Sequence, residues 1–142
     1  METVRKLFDF CIFSVKIAGW APILVFFFHV VAVMGFDAYR HFPLLDIPMH
    51  FLGGLVICFF YYKASNVPNA DYFFGTHTKF SLFVFLMALT GLTTVLWEFS
   101  EWIADTYFGQ TAQPSVTDTM ADMFLGLLGG FVFCMTILCK SR

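Results

Sequence analysis

Acidic and imidazole side chains recur in this chain at helical spacing. Asp46 and His50 are four residues apart, Asp118 and Asp122 repeat that interval, and Glu98 and Glu101 are three apart. On a helix each of these pairs shares one face. Asp105 follows a turn after Glu101, His29 stands in an earlier apolar run, and Gln113 lies in the polar stretch before Asp118. Carboxylates facing a histidine suit zinc, manganese or iron, whereas an all-oxygen set suits magnesium. A divalent metal held in this way polarises a phosphoryl or carbonyl oxygen or activates water, with Glu98 or Glu101 as general base. The expected metal set is Asp46, His50, Glu98, Glu101, Asp118 and Asp122, with His29, Asp105 and Gln113 as further candidates.

A plainer reading stands beside this one. Asp46 precedes Ile47 and Pro48, and Asp118 follows Thr117. Both are good helix N-cap positions, where an acid satisfies free backbone N–H groups and the helix dipole. His50 and Asp122 lie a turn further in, and Glu98 and Glu101 fall near a helix C-terminus, where negative charge is disfavoured. Capping does not account for these four.

The elements that must carry these residues follow from composition. The chain has 142 residues, 59% of them apolar and 13% charged, with 21 phenylalanines, and a mean hydropathy of +0.78. A soluble domain is about a quarter charged. A soluble enzyme is thereby excluded, and so is a nucleic-acid partner, because 8 scattered Lys and Arg are outnumbered by 10 Asp and Glu. The spacing predicts an all-α integral membrane bundle of four transmembrane helices in one domain, at about residues 17–36, 48–62, 80–103 and 119–139. The runs do not alternate, which argues against a β-barrel. Residues 1–16 read as a short interfacial helix or an extension of the first span. They do not read as a cleaved leader, since the apolar stretch is too long and no small-residue cleavage site follows.

Positive charge fixes the expected orientation. Arg5, Lys6 and Lys16 precede the first span, Lys63 and Lys79 bracket the second loop, and Lys140 and Arg142 end the chain. The first loop has only Arg40 and the third has no Lys or Arg. Both termini are therefore expected in the cytoplasm. The acids then collect in the outer leaflet half, where an ionised carboxylate costs about 2.5–3.5 kcal/mol even on the lenient insertion scale. Protonation, a water-filled pocket or a bound cation would relieve that cost. The four cysteines, Cys11, Cys58, Cys134 and Cys139, fall toward the cytoplasmic ends and read as free thiols without zinc spacing.

Gly53 and Gly54, and Gly126, Gly129 and Gly130, allow close helix approach. The stretches LLDIPMHFLGG and VTDTMADMFLGLLGG share an Asp, a polar residue four later and then glycines, which hints at a parallel internal repeat. The third loop, DTYFGQTAQPSVT, reads either as a plain connector or as a lid from which Gln110 or Gln113 reaches inward.

Taken together, LLDIPMHFLGG, LWEFSEW, the Gln-containing loop and TDTMADMFLGLLGG resemble the YjdF-like family of bacterial inner-membrane proteins, and more distantly the VanZ-like family. The likeness covers about residues 43–133. It implies a multi-pass protein of the bacterial cytoplasmic membrane, a polar site at Asp46, His50, Glu98, Glu101, Asp118 and Asp122 with Gln113 as loop glutamine, and a link to envelope or resistance biology. It implies no reaction. Three functions stay open: a metal-dependent enzyme on a lipid-linked or envelope substrate, a proton or cation transporter that would need a homo-oligomer to complete its pore, and a non-enzymatic accessory or immunity-type protein whose polar network fixes helix register.

Overall fold

A computed structural model describes residues 1–140 and is all-helical over them. The helices are α1 (Glu2–Ala18), α2 (Trp20–Phe36), α3 (Ala38–His41), α4 (Asp46–Ala64), α5 (Ala70–Phe74), α6 (Lys79–Phe108) and α7 (Val116–Lys140), with a 3₁₀ turn at Pro43–Leu45 leading into α4. Arg142, counted above among the basic tail charges, lies outside the described residues. Among the described residues three segments are long and apolar enough to cross a membrane: Pro43–Ala64, Lys79–Phe108 and Val116–Lys140. α1 and α2 qualify only as a pair bent by 65°, which would supply the fourth.

That bend corrects the expected continuous first span. Pro22 has no N–H to offer the carbonyl a turn before it, so the helix loses a rung just past Gly19. Gly19 lets the turn close tightly, since a Cβ there would lie 2.6 Å from the Val15 carbonyl oxygen. The other spans run longer than hydropathy alone suggested, and at α6 and α7 a hydroxyl side chain caps the added first turn. Thr78 starts α6 by accepting a hydrogen bond from the Ser81 amide at 3.1 Å, and Gly109 ends it in the left-handed region at φ 66°. At 30 residues, α6 is about 45 Å long.

α4 is the hub, packed against α1, α2, α6 and α7. Its closest neighbour is α7, and the two run parallel. Gly54 lies against the Gly126 carbonyl, and Gly129 lies against the Phe51 carbonyl. Gly126 and Gly130 also face the Thr94 and Thr90 methyls of α6. A stripe of glycine on α7 thus seats it between α4 and α6, as small residues do where lipid supplies no hydrophobic drive. Further along the seam Cys58 and Cys134 are fully buried, with their sulfurs 3.5 Å apart. α1 packs beside α5, with Phe10 against Phe73 and Phe74 and with Lys6 over the Tyr72 ring. That contact closes the end of the bundle opposite the acidic residues.

Candidate cation site

The parallel packing of α4 and α7 brings their N-terminal turns side by side, and the antiparallel α6 adds its C-terminal part. His50 is where they meet. Its Nε2 lies 3.2 Å from Asp46 Oδ1 on its own helix and 3.8 Å from Asp122 Oδ1 on α7. Its Nδ1 lies 4.0 Å from Glu98 Oε1 on α6. Two ligand-capable groups result, Asp46–His50–Asp122 and His50–Glu98–Glu101, and the imidazole belongs to both. Glu98 and Asp122 are each only 5% exposed.

The acids find few cationic partners. Glu98 accepts from Gln113 Nε2 at 2.9 Å, and Glu101 accepts from the Trp97 indole at 2.8 Å. Each of these bonds engages one carboxylate oxygen of its glutamate. Arg40, the basic residue closest in sequence on this side, pairs instead with Asp37 at 3.8 Å. Several carboxylates therefore share one imidazole in a low-dielectric setting, which is costly unless a proton or a cation joins them.

Neither aspartate is the N-cap that its position suggested. α4 already includes Asp46 as its first residue and has no side-chain cap. The Asp46 carboxylate turns to His50. At α7 the capping is done by Ser115, whose hydroxyl accepts from the Asp118 amide at 3.1 Å. Asp118 is half-buried in the first turn and outside both ligand-capable groups. Asp105 is outside them too. Its two oxygens accept from the Ala112 and Gln113 amides at 2.8 and 2.9 Å, which folds the third loop back over α6. Gln113 then reaches inward and also donates to the Glu98 carbonyl at 2.9 Å. Of the two glutamines considered as lid residues, Gln113 is the one that reaches the site, while Gln110 is exposed.

His29 sits on the α2 side. Its Nδ1 is 2.9 Å from the Tyr39 hydroxyl, and its ring meets Trp97 edge-on at 5.2 Å. Burial, with the Asp46 and Glu101 carboxylates adding to it, pushes the Tyr39 phenol up to about 12, so it stays protonated. Neither Trp97, which from sequence reads as an aromatic-belt residue with Trp102, nor Tyr39 was among the expected site residues. Trp97 lies four residues before Glu101, an interval that could have linked them. Tyr39 belongs to a short helix in a loop, where no periodicity points to a partner.

A family model described as "Predicted membrane protein (DUF2238)" matches residues 7–141. No curated protein and no solved structure matches the chain significantly. With nearly its whole length matched, the chain belongs to this family of membrane proteins, whose function is unknown.

Proposed function

We propose that this member of the family binds a divalent cation at His50, through Asp46 and Asp122 on one side and Glu98 and Glu101 on the other, and uses it in an enzymatic step on a lipid-linked or envelope substrate. The observation that carries the reading is the shared imidazole: Glu98 and Asp122, both almost fully buried, converge on His50 from different helices, and among the described residues no Lys or Arg forms an ion pair with either. Carboxylate with imidazole is a donor set for zinc, manganese or iron. A cation there would act as a Lewis acid. Glu101, steadied by Trp97, and Glu98, steadied by Gln113, are the candidate bases, and Gln113 with its loop limits water access. The lack of Lys and Arg in the third loop and the basic flanks at the other end support an outer position for this end of the bundle in a bacterial cytoplasmic membrane, the envelope setting that the family resemblance implies.

A second reading has its own support. Gln113 and Trp97 already occupy one oxygen on each glutamate, as in a network that fixes helix register without a metal. Metal analysis of detergent-purified protein beside a Glu98→Gln/Asp122→Asn variant separates the two. The cation reading expects near-stoichiometric metal in the parent and its loss in the variant, with helical content retained. A metal-free parent would favour the network.

A further inference from the structure

Beside the carboxylates is a cavity of about 260 Å³. α2 and α6 both pack on α4 and meet each other through Phe26 and His29 against Trp97, and the hollow is the space left between their backbones. His50, His29 and Trp97 stand at its end nearest the acids, and Phe26, Gly53 and Ile57 carry it away from them. From Met49 to Ile57 the lining follows α4 for about 12 Å. The wall is apolar even where hydroxyls stand on it, because Thr93 and Thr94 donate theirs to the Leu89 and Gly91 carbonyls. Phe26, on the α2 side, is 54% exposed, so the mouth faces the lipid.

Two adjacent glycines divide the work. A Cβ at Gly54 would run into the Gly126 carbonyl, whereas a Cβ at Gly53 would meet nothing within 4 Å. Gly54 is small so that helices can touch. Gly53 is small where nothing touches it, and the space it leaves is part of the hollow.

We infer that this cavity holds the single hydrocarbon chain of an amphiphile whose polar head lies at His50 and the carboxylates, and that Gly53 keeps room for that chain. The head's place rests on the cation reading above. A soluble ligand entering here would lose water to walls that offer no polar partner beyond the imidazoles. A chain coming from the bilayer loses nothing, since lipid tails are as apolar as these walls. His50 lies about 10 Å along the span that begins at Pro43, so a head that reaches it must draw its chain deeper than the leaflet surface allows, and the hollow receives it. Its volume is below the range of ordinary drug-sized pockets, which fits one chain segment rather than a two-chain lipid.

The probe is dodecyl phosphate brominated at mid-chain, a contact quencher of indole, titrated into the full-length protein in non-ionic detergent. Trp20→Phe and Trp102→Phe leave Trp97 on the cavity wall as the sole reporter. The expected result is saturable quenching that Gly53→Leu weakens about tenfold, in line with the cost of overpacking, and that Gly53→Ala leaves nearly unchanged. Ile57→Phe is a second plug from the deep end should Gly53→Leu not fold. Quenching that never saturates, or that is equal in parent and plugged variants, overturns the inference. Metal content measured on the same samples keeps the two readings apart. Metal-loaded protein without saturable quenching sinks the chain pocket alone, and metal-free protein with Gly53-dependent quenching sinks the cation reading alone.

Discussion

At the scale of single residues, Gln113 shows how much the site depends on its loop. It donates to both the side chain and the backbone of Glu98, and hydrogen bonds to a charged group are worth about 1.5–3 kcal/mol. Gln113→Ala should leave the helices intact but free the third loop, giving faster proteolysis between Gly109 and Ser115 without a matching fall in unfolding temperature. Equal cleavage of parent and variant would mean that Asp105 alone holds the loop. The acids and His50 were legible because helical spacing and the cost of charge in lipid single them out. The roles of Asp46 and Asp118 were not. An aspartate at the head of a helix fits a cap or a ligand equally well, and only the true start of α7, one residue after Ser115, shows that the cap was taken by another side chain.

At the scale of helices, the α4–α7 seam is the contact the site can least do without, since it sets Asp122 against His50. Gly54→Leu should separate the two helices and lower thermal stability by about 1–3 kcal/mol or more, read as an earlier loss of helical signal on heating, whereas Gly53→Ala, whose Cβ meets nothing, should leave stability unchanged or slightly raised. A Gly54→Leu protein as stable as the parent would show that α4 and α7 are not in close contact. The likeness of LLDIPMHFLGG to VTDTMADMFLGLLGG takes on a physical meaning here. Asp46 pairs in register with Asp118, His50 with Asp122 and Gly54 with Gly126, and the two stretches lie side by side and parallel. Hydropathy revealed the long helices but ran straight through the α1–α2 break, because Pro22 interrupts hydrogen bonding without changing the apolar average. The short helices α3 and α5 had no apolar periodicity to announce them.

At the scale of the whole molecule, burial sorts the four thiols. Cys11 and Cys139 are exposed, whereas Cys58 and Cys134 are buried. A small membrane-permeant maleimide should therefore label Cys11 and Cys139 in the folded protein and reach the other two only after denaturation, as counted by mass spectrometry. Rapid labelling of Cys58 would contradict the packed seam. The thiols were read from the chain as free, but their meeting across α4 and α7 was not, since residues 76 apart carry no local sign of contact.

The shortness of α2 has a consequence for the membrane itself. Its 17 residues rise about 26 Å, a few ångströms less than a typical hydrocarbon core of about 30 Å, while α6 exceeds that thickness. A short crossing draws the bilayer thinner around it, at a cost of fractions of a kcal/mol per ångström. In the bent α1–α2 pair, α2 is the arm beside α4, and with that arm as the crossing the leaflet would dip along one flank of the protein, the flank on which the hollow opens. Headgroups in that dip would start lower than elsewhere on the surface, so the descent to His29 and His50 would be shortest where the mouth faces them.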